Sequence, residues 1–573
     1  MPGIAPSTTN APVSWPVLSI SETYAALTAP GAPFEMREEI VHGAPVRTYV
    51  AAPANLRDIL TTSRDYGVRE FLIYGEERIT FDAHWRAGCA FAESLQSRFN
   101  IRKGDVVAVC MRNFPEWSVA AWATLALGAI LAPLNAWGTA SDIRHGLVDS
   151  GARVAVVDSE RLDRIEDAPC PLISVRTPPT ASAISMASII GDVAAWGFLP
   201  TGRLPDVQIA PDDDATLFYT SGTTGSAKGV VGTHRNITTN LINTRFRAAR
   251  AALRRGAPLA GAATGQRANL LAVPLFHVTG FHGVLVASMA QGAKIVMMHK
   301  WGANRAADLI ATEAINAATM VPMMAQQLLD TLEATGKNLP SLDTLGVGGA
   351  PAPTKLVARM VRLLPHATPG QGYGATETSS LVASNSAEDF LLRPASVGTP
   401  TPNVNVKLVG EDGQESEEGE LWVRGANVVR GYWRQTEANA SAFKDGWYNT
   451  GDIARRDAEG FLFILDRTKD MLIRGGENIY CQEVEAALDT HPAVIECAVF
   501  GAPHETYGET VAACVRLKYA TPREDLLAHA ATILPAHKRP EHLFILTEEF
   551  PRNAAGKILK KALRAALLAK ETP

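Results

Sequence analysis

Short unbroken apolar runs recur through the first two thirds of the chain, and Ala-rich stretches with helical spacing separate several of them. The runs at 105–110, 152–157, 215–219, 269–273 and 294–298 are rich in Val, Ile and Leu without polar alternation. They read as strands covered on both faces. Such strands alternating with helices predict α/β layers with mainly parallel sheets. The most apolar run, Val119 to Pro133, is about fifteen residues, short of the ~20 needed to span a bilayer, and reads as a buried helix entering a strand.

The pattern changes twice. Between Gly398 and Arg434 come short strands and turns such as Glu411-Asp-Gly413, and after Asp470 a helix is predicted over 484–488, with strands over 494–501 and 510–517. The expected organisation is a large N-terminal domain of several subdomains, 1–468, followed by a small, mobile α+β domain, 469–573. Residues 171–207 read as a loop rich in Pro, Ser, Thr and Ala. The basic, Gly/Ala-rich stretch 249–267 reads as a surface insertion.

Composition adds little and excludes some classes. The chain has 573 residues, 46% apolar and 20% charged, with a net charge of -5. That is ordinary for a globular enzyme and gives no electrostatic case for nucleic acid or an anionic membrane. The six cysteines have no C-x-x-C spacing. They read as reduced thiols, and with no basic-then-apolar leader at the N-terminus a cytoplasmic protein is expected.

The candidate chemistry begins at Tyr219 to Gly229, Y-T-S-G-T-T-G-S-A-K-G. Thr220, Ser221, Thr223 and Thr224 supply hydroxyls, while Gly222 and Gly225 let backbone N–H groups converge near Lys228, a composition suited to gripping a polyphosphate. A Walker loop needs a lysine followed by Ser or Thr, whereas Ala227 and Gly229 flank Lys228. An ordinary flexible loop would look the same in isolation. Gly370-Gln-Gly-Tyr-Gly-Ala-Thr-Glu-Thr378 sets Gly372 and Gly374 around Tyr373, with the oxygens of Thr376 and Glu377 suited to Mg²⁺; a tight turn with a structural tyrosine is the alternative. Asp452 follows a Thr-Gly turn and could accept from ribose hydroxyls, or simply serve the turn. Lys557, in Arg552-Asn-Ala-Ala-Gly-Lys557, is a loop lysine that alone reads as a solvated charge.

Together these strings are collinear with Pro274-Leu-Phe-His277, Gly348-Gly-Ala-Pro351, Asp466-Arg-Thr-Lys-Asp470 and Gly475-Gly-Glu-Asn478. In that order they resemble the adenylate-forming superfamily of acyl-CoA synthetases, luciferases and peptide-synthetase adenylation domains. The resemblance implies that a carboxylic acid and ATP give an acyl-adenylate, which coenzyme A then converts to a thioester. It implies that the Thr220–Gly225 loop and Lys228 hold phosphates, and that Thr220 and Glu377 lie near Mg²⁺. Gly349, Ala350, Pro351 and Tyr373 would then bound the adenine, Asp452 and Arg467 would hold the ribose, and Lys557 would reach the reacting carboxylate. His277 would stand beside the acyl pocket, Lys469 would be the hinge, and Gly475 and Gly476 would line the pantetheine path. Tyr507 and Phe544 match aromatics near the coenzyme A adenine, with plain packing an equal reading. Cys481 stands where proline is common.

Only about sixteen residues follow Lys557, too few for a carrier domain, so a stand-alone ligase acting as monomer or homodimer is expected. Gly346, Gly348 and Met323-Met324 suggest an apolar acyl pocket. Fatty or bulky aliphatic acids are the favoured substrates, with aryl acids, or transfer to a carrier protein or amine, as alternatives.

Overall fold

The computed structural model describes residues 15–178, 180, 182–220, 227–259, 265–350, 352–552 and 558–568. Among them, two large sheets of eight and nine strands dominate the N-terminal part. In the first, Asp214–Thr220 lies beside Ile130–Pro133, followed by Val106–Cys110 and Val154–Asp158. These pairs are all parallel, whereas Lys228–Thr233 closes back on Asp214–Thr220 as an antiparallel hairpin. In the second, Ala268–Leu271, Ala317–Met320, Thr344–Gly348 and Thr368–Tyr373 run parallel, and Ala383–Ser386 adds antiparallel beyond them.

One continuous core joins the sheets. Val107 and Val109 from the first share it with Leu270, Ile295 and Val296 from the second, and the helices Phe81–Arg98 and Pro115–Ala126 lie in the same cluster. Every residue of Pro115–Ala126 is buried. A helix apolar on all sides belongs in such a place, which explains the 119–133 run. Among the described residues no helix is long and apolar enough to cross a membrane.

A third, antiparallel sheet contains Glu418–Arg424, Trp447–Arg456 and Leu462–Arg467. The C-terminal part is a separate α+β unit: a five-stranded sheet around Val494–His504 and Gly508–Leu517, with helices Cys481–Asp489 and Arg523–Ile533. It has its own core, including Val484, Val499, Val515 and Leu526, as a domain requires. Among the described residues it meets the large part through several polar contacts. Lys355 pairs with Asp489 at 2.6 Å and also donates to the carbonyls of Asp489 and Val494. Asn478 donates to Glu411 at 2.6 Å, and Tyr480 to Glu418 at 3.0 Å.

Two sequence expectations need correcting. Residues 249–267 do not begin as a surface insertion, because helix His234–Arg254 runs through the first six of them. Arg250 and Arg254 are buried there, so this is an anchored helix end, and no basic patch forms from them. Residues 171–207 are not loop throughout, since Leu172–Val175 and Ala183–Ser185 extend the first sheet.

Candidate active site

Three strand ends and two turns converge where the large sheets meet the antiparallel one. The hairpin that places Thr220 opposite Lys228 continues to Gly431–Tyr432, which pairs with Val230 and Val231. Lys228 Nζ lies over the Tyr432 ring at 5.3 Å, a cation–π arrangement that holds the ammonium in place. The Tyr432 hydroxyl donates to Glu377 Oε1 at 2.9 Å, leaving Oε2 of that buried carboxylate for another partner. Val429 N–H donates to the Glu377 carbonyl at 2.9 Å, fixing the short 3-10 turn Thr376–Thr378. Ser221, Gly222, Thr223, Thr224, Gly225, Pro351 and Lys557 lie outside the described residues.

Beside this group stands a second. Tyr373 donates to Asp452 Oδ2 at 2.5 Å, and Arg467 Nε lies 3.2 Å from Asp452 Oδ1. Asp452 and Arg467 are direct partners across their strands, so register alone brings them together. Burial and the Asp452 charge push the Tyr373 hydroxyl well above the usual range, so it remains a donor. Tyr448, raised by burial and by Glu377, faces Tyr432 and links the two groups. Each carboxylate oxygen has acceptor capacity beyond one bond, so Asp452 can still receive hydroxyls.

Glycine is required at Gly374, where a Cβ would fall 1.5 Å from the Ser380 carbonyl oxygen. The turn that follows is strained, with Ser379 and Ser380 at φ 52° and 102°. His282 holds it: Nδ1–H donates to the Ser379 carbonyl at 3.0 Å, and burial lowers this imidazole to about 4, so it is neutral. His282 sits on a π-helical segment, Thr279–Val286, reached through Pro274-Leu-Phe-His277. His277 is likewise lowered to about 4 by burial, and its buried Nε2 has no hydrogen-bond partner among the described residues. Gly349, at φ 79°, and Ala350 follow the strand Thr344–Gly348.

The remaining predicted residues lie apart or at the domain junction. Lys469, held below its usual range by burial and the neighbouring Arg467, faces Asp470, Lys561 and Asp452. Gly475 and Gly476 form an exposed turn beside Tyr507, whose carbonyl accepts from Gly475 N–H at 2.9 Å. Positive φ of 59° and 90° accounts for both glycines. Tyr507 stacks on His504 and under Arg474, and Phe544 packs on the small-domain core. Cys481 is fully buried, its thiol donating to the Asp470 carbonyl at 3.1 Å, so it anchors the start of its helix.

Sequence reasoning missed Tyr432, Tyr448 and His282. Tyr448 was in plain view as the first residue of Y-N-T-G-D, whereas nothing local marks the other two.

The donor set fits a magnesium nucleotide. Glu377 and Thr220 offer hard oxygens of the kind Mg²⁺ takes beside phosphates, and Glu377 Oε2 is left open by the Tyr432 hydrogen bond to Oε1.

The model of the AMP-binding enzyme family matches residues 61–433, and that of the AMP-binding enzyme C-terminal domain matches 483–557. A feruloyl-CoA synthase of Amycolatopsis is 31% identical, over 86% of this chain and 94% of the relative. A long-chain-fatty-acid–CoA ligase of Yersinia pestis is 33% identical, over 85% and 90%. Among solved structures, the o-succinylbenzoate CoA synthetase of Bacillus subtilis in complex with its acyl-adenylate superposes with a TM-score of 0.74 at 30% identity, covering 90% of this chain and 99% of the other. This chain therefore belongs to the AMP-binding enzyme family and is an AMP-forming acid–thiol ligase that uses ATP, Mg²⁺ and coenzyme A.

Proposed function

We propose that the chain is a stand-alone cytoplasmic ligase for aryl or similarly bulky apolar acids. The aliphatic preference favoured by the sequence gives way to the aryl alternative on two grounds. Relatives named for ferulate and succinylbenzoate stand beside the fatty-acid ligase. The Phe276 ring lies against His277 and edge-on to Trp137, with centroids 4.8 and 5.4 Å apart, where this reading sets the mouth of the acyl site. Flat aromatic walls favour a flat substrate.

The observation that carries the reading is the convergence of Tyr373 and Arg467 on Asp452 beside the Glu377–Tyr432–Lys228 group. In this assignment Asp452 and Arg467 receive the ribose hydroxyls, and Tyr373, Gly372, Gly349, Ala350 and Pro351 bound the adenine. Lys228 and the 220–225 loop hold the β- and γ-phosphates, and Glu377 and Thr220 take Mg²⁺, which when bound neutralises charge on the phosphates. Lys557 reaches the carboxylate and the α-phosphate. A carboxylate oxygen attacks the α-phosphorus and the bond to pyrophosphate breaks; two anions meet in that step, so placed cations are the main source of rate. The coenzyme A sulfur then attacks the acyl carbonyl, and AMP leaves.

For the second step the small domain, hinged at Lys469 with a boundary between 468 and 469, turns so that Gly475 and Gly476 line the thiol's path. The Asn478–Glu411 and Tyr480–Glu418 contacts hold the other orientation.

A panel of aryl and aliphatic acids, followed by pyrophosphate release with and without coenzyme A, tests this. Acid-dependent release with aryl acids preferred, and acyl-CoA formed when the thiol is added, is expected. A uniform preference for fatty acids would refute the substrate class, and release that never leads to acyl-CoA would refute the acceptor.

A further inference from the structure

The helix His234–Arg254 carries Asn240, Asn243 and Arg247 on one face, three and four residues apart. Asn240 Oδ1 accepts from Leu381 N–H at 3.0 Å, and Asn243 Oδ1 from the Tyr49 hydroxyl at 2.8 Å. The Nδ2 groups of both are buried with no hydrogen-bond partner among the described residues. A Cβ built on Gly370 would lie 3.5 Å from Arg247 Nη1, so the guanidinium reaches over the strand Thr368–Tyr373.

The charges on this face do not balance. Two turns on, Arg254 is paired with buried Asp389 at 2.7 Å. Among the described residues Arg250 has only neutral hydrogen-bond partners, Thr399 Oγ1 and the Ser384 carbonyl, at 2.6 and 2.7 Å. Arg247 has no carboxylate or hydrogen-bond acceptor among the described residues. Burial and the charge of Arg250 pull its pKa below the usual range. Arg250 is buried and Arg247 half-buried, so two neighbouring cations and two unmet amide donors share one face without an anion, which is costly as it stands. An anion bound beside Arg247 would offset its charge and give the neighbouring amide donors an acceptor.

A strip of four glycines runs from this face toward the nucleotide side, with Leu381 Cδ1 close to Gly372 and Thr319 Oγ1 close to Gly346. Gly346 pairs with Gly370, and Gly348 with Gly372, across the adjacent parallel strands. Partners and alternate residues share a face, so all four glycines face the side on which Arg247 lies. The strip runs from Tyr373 back to Gly370, about 10 Å at ~3.3 Å per residue. Its far end is cationic, with Arg247 Nη1 beside Gly370.

We propose that Arg247, with Asn240 and Asn243, binds a second carboxylate at the far end of the acid, so that the preferred substrates are dicarboxylic acids. The proposal rests on the reading that the acyl group lies along this strip from the adenylation centre.

The test compares suberate with octanoate, and 4-carboxycinnamate with cinnamate, as kcat/KM in pyrophosphate release. A site built around a charge-assisted hydrogen bond should favour each diacid by about tenfold or more. Arg247→Gln should bring the diacid:monoacid ratio down to about unity or below, and Arg247→Lys should keep part of the preference. Arg245→Gln, exposed and on another face of the helix, should keep the ratio. Because the ratio is taken within one preparation, partial misfolding does not change it. Calorimetric binding of suberate without ATP, compared between the parent protein and Arg247→Gln, separates the two layers of the argument. Arg247-dependent binding without pyrophosphate release would keep this carboxylate site and refute the reading that the acyl group runs from it along the strip to the adenylation centre. Turnover with monoacids preferred, a ratio unmoved by Arg247→Gln, or suberate neither bound nor turned over would overturn the proposal.

Discussion

The Tyr373 hydroxyl is committed to Asp452, and both are held by their strands, so the carboxylate is oriented before any ligand arrives. Pre-orientation of this kind saves ordering cost on binding. Tyr373→Phe removes one donor to a buried carboxylate without changing the ring. The expected outcome is a rise of roughly tenfold in the KM for ATP with little change in melting temperature, since hydrogen bonds to charged groups contribute about 1.5–3 kcal/mol. Initial-rate kinetics alongside thermal unfolding check it; an unchanged KM would remove Asp452 from the nucleotide site. At this scale the sequence was legible where composition is odd. The glycines around Tyr373 marked a segment that the structure brings against Asp452, whereas Ser221, Thr223 and Thr224 near Lys228 lie outside the described residues. Tyr432 and His282 were not legible, because their meaning comes from partners 55 and 97 positions away. An aromatic or histidine in an apolar run gives no local sign of such a contact.

At the level of elements, buried parallel strands announce themselves by unbroken Val, Ile and Leu runs, and these placed both large sheets. The 249–267 stretch failed for a physical reason: Arg250 and Arg254 look like surface residues in sequence, yet backbone carbonyls, Thr399 and Asp389 receive them inside. The junction between the parts depends on another cation. Lys355 caps the end of helix Cys481–Asp489 from the large domain, donating to Asp489 and Val494. Lys355→Ala should loosen the orientation that keeps Gly475 and Gly476 exposed. Adenylate formation should then slow by roughly fivefold relative to thioester formation from supplied acyl-adenylate, the worth of about 1 kcal/mol for a partly exposed pair. Single-turnover measurement of each half-reaction checks this; equal slowing of both would mean the contact only stabilises the fold.

Across the whole molecule, several ionisable groups are buried in their neutral forms. Burial lowers His84 to about 3 and His234 and His282 to about 4, from an ordinary 6.5. In the unfolded chain each takes up a proton as the pH falls below 6.5, while in the folded protein His234 and His282 stay neutral until about pH 4 and His84 until about pH 3. Stability therefore declines as pH drops through that window, by up to about 1.4 kcal/mol per unit for each histidine. Asp466, raised to about 6 by burial, works in the opposite sense and offsets part of the loss. The melting temperature should fall steadily from pH 7 to pH 5, and replacing His84 by Gln should flatten the curve. A melting temperature constant or rising over that range would contradict the assignment.

The central claim is that a carboxylate oxygen of the acid becomes bonded to the α-phosphorus of ATP. Turnover with an acid labelled in its carboxylate with oxygen-18, followed by mass spectrometry of the nucleotide, tests it directly. The account predicts AMP carrying one labelled oxygen, and an acyl thioester that has lost one. Unlabelled AMP, or ADP as the nucleotide product, would contradict it.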